Sequence, residues 1–212
     1  METENGEVST TSPNNIVLLG IMASGKTSIG WILSRLAGLG WMDADLEVER
    51  RSGKSISRVF AEDGEGRFRA TERGVVSDWA GVRQHVLSVG GGAVLDDESW
   101  GHLRKLGTLV WLRPPTELVA RRLLARPELM QQRPLIADLA PPTQEDAVAR
   151  DERFAKLVER LDGIIQQRAD RYGAAAMVFE SGWETPETSA KLLLAMLRAE
   201  KVPAVVRPKG NS

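Results

Sequence analysis

The chain has 212 residues and no cysteine. That excludes a disulfide framework and any thiolate-held metal, and it suits a reducing cytoplasm. Histidine is scarce. His85 and His102 stand alone, without the short spacing that metal sites use, and both read as ordinary surface or packing residues. Neither sign of charge dominates. A formal net charge of −1 offers no bulk attraction to nucleic acid. No apolar run approaches the roughly 20 residues of a membrane-crossing helix. Residues 1–13 are polar and acidic and lack a basic leader, so they read as a disordered tail rather than a signal or transit peptide. Residues 201–212, with Pro203, Pro208 and Gly210, read as a second loose end. Residues 14–200 are enough for one α/β domain with a sizeable core, and no repeat or linker points to a second.

What the chain does contain is one phosphate-binding spelling. Gly20-Ile21-Met22-Ala23-Ser24-Gly25-Lys26-Thr27 fits G-x-x-x-x-G-K-[ST]. Glycines at both ends let the backbone turn tightly, so that main-chain N–H groups point at an anion. Lys26 can reach the β- and γ-phosphates of a nucleotide, and the Thr27 hydroxyl can ligate Mg²⁺. The flanks agree. Ile16–Leu19 is an apolar run suited to a buried parallel strand. Ile29, Ile32, Leu33 and Leu36 recur at helical spacing, which predicts one buried helix face. A helix N-terminus behind the loop favours an anion.

Further along, strands and helices alternate. Strands are expected ending near Asp43, over His85–Val89, over Thr108–Leu112 (with Trp111 in the core) and over Ala176–Phe179. Helices are expected over Leu46–Arg51, from a Ser55 or Ser57 cap through Ala61, over Phe68–Ala80 and Asp97–Leu106, over Pro115–Leu124, and over Pro186–Leu197. The last should bury Leu193, Met196 and Leu197. Gly64-Glu65-Gly66 reads as a turn. Residues 125–142 hold four prolines and little periodicity, and read as an exposed, mobile segment. Glu145–Tyr172 reads as one long charged helix. The alternation predicts a parallel sheet covered on both faces. Ligands gather at the carboxyl ends of such strands. Three special turns land there: the phosphate loop, Asp43/Asp45, and Gly90-Gly91-Gly92.

Each candidate residue has an ordinary reading as well. Asp43 and Asp45 suit a Mg²⁺ shell and an acceptor hydroxyl, or equally a helix cap. Arg69 and Glu72 are one helical turn apart, as in a surface ion pair. Gly90–Gly92 suits close approach to a ligand or a tight strand exit. Arg126 and Arg133 are possible cations for a nucleotide in a proline-bearing loop, where exposed arginines are common. Arg168 and Tyr172 at i, i+4 read as a solvated face.

Taken in order, the phosphate loop, Asp43-x-Asp45, Arg51-Ser52-Gly53-Lys54-Ser55-Ile56, Phe60-Ala61-Glu62-x-Gly64-Glu65, Phe68-Arg69-x-x-Glu72, Gly90-Gly91-Gly92-Ala93-Val94, Arg133-Pro134-Leu135-Ile136 and Arg168-x-x-x-Tyr172 resemble shikimate kinases. The resemblance covers roughly residues 15–198. It implies a single-domain P-loop fold with a five-stranded parallel sheet and a mobile lid at about residues 125–142. It also implies a probable monomer in the cytoplasm that phosphorylates the 3-hydroxyl of shikimate from ATP with Mg²⁺, on the route to chorismate and the aromatic amino acids. A gluconate kinase-like enzyme and a non-catalytic ligand-binding homologue are the alternatives.

Carried over by position, the resemblance implies that Gly20, Ala23, Ser24, Gly25, Lys26, Thr27 and Ser28 surround the phosphates. Arg126 and Pro186 would flank adenine, and Trp183 would lie near that loop. Lys26 and Arg133 would neutralise the transferring group. Thr27 would ligate Mg²⁺ with Asp43 in its outer shell. Asp45 would align or deprotonate the acceptor. Arg69 and Arg168 would pair with the substrate carboxylate, and Gly90, Gly91 and Gly92 would approach the substrate by backbone. One departure stands out. The stretch between Arg133 and Arg168 is longer than the family's, and residues 141–160 read as added helical turns. Arg160 and Arg171 therefore compete with Arg168, which is preferred because Tyr172 follows at the family spacing. Asp170 stands where the family usually has proline.

Overall fold

The computed structural model describes residues 14–142 and 146–205. The five apolar runs form five parallel strands: β1 (Ile16–Leu19), β2 (Gly40–Asp43), β3 (His85–Ser88), β4 (Thr108–Leu112) and β5 (Met177–Phe179). Their order across the sheet is β2-β3-β1-β4-β5. Ile16 lies level with Val86 on one side and Thr108 on the other, and Asp43 lies level with Ser88. Alternate side chains of a strand point to opposite faces. Thus Val17, Leu19 and Trp111 enter one core, while Ile16, Leu18 and Val110 enter the other.

The helices are α1 (Lys26–Ala37), α2 (Ala44–Ser52), the single turn α3 (Ile56–Arg58), α4 (Gly64–Asp78), α5 (Asp97–Leu106), α6 (Thr116–Leu124), α7 (Pro127–Gln131), α8 (Ala147–Gln167), α9 (Ala169–Gly173) and α10 (Pro186–Ala199). α1 and α10 cover one face through Ile29, Leu33, Leu193 and Leu197. α4, α5, α6 and α8 cover the other through Val75, Leu103, Leu123 and Leu161. Side-chain caps start several of these helices: Asp43 on α2, Ser55 on α3, Asp96 on α5, Asp146 on α8 and Thr185 on α10.

The structure corrects several local expectations. Leu36 is exposed, and Gly30 and Ser34 are buried in its place. A Cβ on Gly30 would sit 2.8 Å from Ser88 Oγ, so the small residues mark where α1 comes closest to the sheet. Gly64-Glu65-Gly66 is the first turn of α4 rather than a separate turn, entered from a π-helical turn over Val59–Asp63. Gly64 joins the two at φ 82°, and Phe68 docks on Phe60 with ring centroids 4.6 Å apart. Tertiary packing overrides the low helix propensity of glycine here. Residues 125–142 contain α7 and a 3-10 turn over Ala137–Leu139, anchored by Met130 and Ile136, both fully buried.

The long helix is also interrupted. α8 stops at Gln167 and α9 resumes at Ala169. Arg168 sits at the break, its N–H donating to Ile165 O at 3.0 Å. The bend turns Arg168 and Tyr172 inward, to 4% and 0% exposure, so neither is on a solvated face. At the chain's end Met196 is exposed and Leu194 is buried in its place. Val202 and Val205 pack into the core on the α1–α10 side, so residues 201–205 are no loose end. The tails expected at 1–13 and from 206 onward lie outside the described residues.

At the sheet edge opposite the special turns, one side chain ties the entry together. Asn15 is buried, and its Nδ2 donates to Val82 O and Leu106 O, each at 2.8 Å. Its Oδ1 accepts from the His85 N–H at 3.0 Å. Replacing it by alanine strands three backbone groups, one buried and two partly buried. We expect Asn15→Ala to cost about 3 kcal/mol, and thermal denaturation to show a fall in Tm of about 6–12 °C.

Candidate active site

The phosphate loop joins β1 to α1 in the way its glycines require. Gly20 lies at φ 151° and Gly25 at φ 100°, and Ala23 also has positive φ, 55°. A Cβ on Gly20 would sit 2.7 Å from Ser24 Oγ and 2.8 Å from Leu112 O. α1 has no side-chain cap and no acidic residue in its first turn, so its leading N–H groups face the loop. Lys26 curls over the loop and donates to Gly20 O at 2.9 Å and Ile21 O at 2.8 Å. Enclosure lowers its ammonium pKa to about 8, against the opposing pull of the Asp45 and Asp43 carboxylates.

Asp43 serves two purposes at once. Its Oδ1 caps α2 by accepting from the Asp45 and Leu46 N–H groups at 3.0 and 3.3 Å. Its Oδ2 accepts the Thr27 hydroxyl at 2.8 Å, which ties the end of β2 to the phosphate loop. Asp45 lies in the first turn of α2. Burial chiefly raises its pKa; Asp43 adds to the rise, and Lys26 and Arg133 oppose it. Arg133 comes from the segment after α7 and is close enough to Asp45 and Lys26 to act on both electrostatically.

Beyond β3, the three glycines are spaces for charged side chains. A Cβ on Gly90 would lie 2.4 Å from Glu72 Oε1 and 3.0 Å from Asp45 Oδ1. On Gly91 it would lie 2.8 Å from Arg168 Nη1 and 3.1 Å from Gly20 O. On Gly92 it would lie 2.1 Å from Arg69 Nη1. Arg69 donates to Glu72 Oε2 at 2.7 Å, and Glu72 is only 2% exposed. The pair is thus no surface ion pair. The other carboxylate oxygen, Glu72 Oε1, has no hydrogen-bond partner, and burial raises the Glu72 pKa. Arg168 is equally enclosed. Its Nη1 reaches the Tyr172 hydroxyl at 3.5 Å, its Nε has no partner, and Tyr172 is stacked on Trp111. A buried guanidinium with so few acceptors is suited to an anionic ligand.

The phosphate loop, the enclosed Asp45 carboxylate and the guanidinium groups of Arg69, Arg133 and Arg168 come together at the carboxyl edge of the sheet. The shikimate kinase family profile matches residues 22–197. A shikimate kinase of Nostoc punctiforme is 33% identical over 93% of this chain and 95% of its own. One of Syntrophus aciditrophicus is 36% identical over 76% and 79%. The chain belongs to the shikimate kinase family. Membership makes it an ATP-dependent kinase. Among solved structures, the shikimate kinase of Acinetobacter baumannii in complex with shikimate superposes with TM-score 0.73, covering 90% of this chain and 96% of that one at 28% identity. The enzyme of Bacteroides thetaiotaomicron gives 0.68 over 87% and 98%, at 25% identity.

Most residues that the shikimate kinase resemblance singled out converge here: Gly20–Thr27, Asp43, Asp45, Arg69, Gly90–Gly92, Arg133 and Arg168. The competitors of Arg168 are engaged elsewhere. Arg171 pairs with Asp97 and covers the Trp100 ring, and Arg160 pairs with Asp138. Thr27 and Ser28 are exposed at the start of α1, and Pro186 opens α10. Arg126 is exposed at the start of α7. A further arginine meets the phosphate loop: Arg122, whose Nη1 donates to Ala23 O at 3.2 Å and which is attracted by Glu184. Trp183, in the loop before Pro186, is 66% exposed with the Arg121 guanidinium over its ring. Among the described residues no three acidic or histidine side chains cluster to hold a metal by themselves. Glycine at 92 is required for space rather than for backbone angle, since its φ is −89°. Gly92→Ala should therefore fold normally while displacing Arg69. We expect the Michaelis constant for the phosphoryl acceptor to rise about tenfold or more in initial-rate measurements, with that for ATP changed less than about twofold.

Proposed function

We propose that the protein transfers the γ-phosphate of ATP to the 3-hydroxyl of shikimate, the step that feeds chorismate and the aromatic amino acids. One observation carries the reading. A Cβ on Gly91 would meet both the Arg168 guanidinium and Gly20 O of the phosphate loop. The donor half and the acceptor half of the cleft therefore touch, and the acceptor half is built for an anion bearing hydroxyls.

Each part has a task. The fork of Arg69 and the buried guanidinium of Arg168 hold the carboxylate, since paired guanidinium N–H groups match carboxylate oxygens. Asp45 accepts hydrogen bonds from the ring hydroxyls and takes the proton of the attacking 3-hydroxyl; its raised pKa suits that role. The new oxygen–phosphorus bond forms in line with the bond that breaks to ADP. Lys26 and Arg133 offset charge on the transferring group, and the lid residue Arg133 arrives with a wall that excludes water. Arg126 and Pro186 flank adenine, and Arg122 braces the phosphate loop through Ala23 O.

Mg²⁺ fits the donor set. The Thr27 hydroxyl and Asp43 Oδ2 stand together, 2.8 Å apart, beside the phosphate loop. Magnesium commonly takes one or two protein oxygens and completes its shell with phosphates and water. Held by Thr27 with Asp43 in its outer shell, it would supply positive charge that offsets the charge of the phosphates.

The direct test is a coupled assay of ADP release with ATP and Mg²⁺, comparing shikimate, quinate and gluconate. Shikimate is expected to give the rate, and a rate no higher than that of ATP alone would end the proposal. Two variants divide the roles. Arg69→Ala should raise the shikimate KM about tenfold or more and leave the ATP KM nearly unchanged. Asp45→Asn should lower kcat about a hundredfold; near-normal turnover would remove Asp45 from proton transfer.

A further inference from the structure

The segment from Arg133 to Ala140 is folded as a ladder of tight turns. Ile136 N–H donates to Arg133 O, Leu139 N–H to Ile136 O, and Ala140 N–H to Ala137 O, at 3.0 to 3.2 Å. The ladder presents Arg133 to Asp45 and Lys26 on its inner side. Its outer side is held by α8. Arg160 Nη1 donates to Leu135 O at 2.9 Å, two residues beyond Arg133. The same guanidinium meets the Asp138 carboxylate through Nη1 at 3.4 Å and Nη2 at 3.2 Å. One arginine thereby spans the middle of the ladder.

Its neighbours reinforce it. Arg153 lies seven residues earlier on α8, two turns away and on the same face. Its Nη1 donates to Leu139 O and Ala140 O, each at 3.3 Å. Between the two arginines Leu157 is fully buried, so this face of α8 is fixed against the core. Phe154 adds a contact at the nucleotide end. The Arg121 guanidinium lies over the Phe154 ring at 5.5 Å and over the Trp183 ring at 5.7 Å. All these α8 residues belong to the stretch that is longer here than in the family's pattern.

We propose that Arg160 is a positioning residue for phosphoryl transfer: from the lengthened α8 it holds the lid backbone so that Arg133 stays over the reacting phosphate. The proposal rests on the kinase reading above, in which Arg133 stabilises the transferring group. The Arg160–Asp138 pair is 44% and 59% exposed, so its effect on global stability is small. Its effect falls on the lid, where a contact of this size changes the population of the competent arrangement by about fivefold.

The experiment is a cycle of Arg160→Ala and Arg133→Ala, alone and combined, measured for kcat and shikimate KM with ATP and Mg²⁺. Hydrogen exchange of residues 133–140 provides a readout independent of activity. Arg160→Ala is expected to lower kcat about fivefold, leave the shikimate KM unchanged and speed exchange at 133–140. Its loss should vanish in the Arg133→Ala background, because Arg160 acts through Arg133. Arg160→Lys, which keeps one donor for Leu135 O, should recover part of the rate. Asp138→Asn should give a smaller loss with unaltered Tm, which keeps the test usable if Arg160→Ala lowers Tm. A loss that persists in the Arg133→Ala background overturns the proposal. So does an unchanged kcat while Arg133→Ala is crippled. If Arg133→Ala itself keeps its kcat, the lid-arginine reading fails first and this proposal falls with it.

Discussion

The arrangement depends on charge brought out of water along the carboxyl edge of one sheet. Lys26, Asp45, Glu72 and Arg168 are all enclosed there, and isolated charges in that setting are costly. They tolerate it because signs alternate: Lys26 and Arg133 face Asp45, and Arg69 faces Glu72. The balance is incomplete, since Glu72 Oε1 and Arg168 Nε have no partner. Of the two, the Arg168 Nε–H is the donor that the proposed anionic substrate would meet.

The glycines make such crowding possible. Gly90, Gly91 and Gly92 leave room for Glu72 and Asp45, for Arg168 and for Arg69 in turn. Side chains from α2, α4 and the α8–α9 break thus meet on three consecutive residues. Close approach to a ligand and a tight strand exit were the two readings of that triplet. The space is used first by the protein's own charged groups. Asp43 caps the helix with one oxygen and accepts the Thr27 hydroxyl with the other, so the cap reading holds.

Legibility followed the range of the forces involved. Strands β1 and β4 and helix α5 were legible to the residue, because burial on both faces or strict helical spacing is written locally. The phosphate loop was legible because its geometry needs particular residues at fixed intervals. Arg122 was not, because its approach to Ala23 depends on where α6 ends and α7 begins. The burial of Arg168 and Tyr172 was hidden in the same way: helical spacing runs on through residues 145–172, and the stacking of Tyr172 on Trp111 across the break is a contact between distant residues. The long charged helix gave no sign that Arg153 and Arg160 donate to the backbone carbonyls of residues 135, 139 and 140, because those partners lie in another segment.

The sequence by itself determined the fold class, the phosphate loop with its strand and helix, and the family to which the chain belongs. These rest on local periodicity and on motifs whose backbone demands are read in one stretch. Tertiary structure alone decided which arginine meets the loop, which charges lose their water, and how the long segment after Arg133 is held. Those outcomes turn on contacts between residues far apart in the chain. Desolvation and hydrogen-bond satisfaction exist only once the elements are packed.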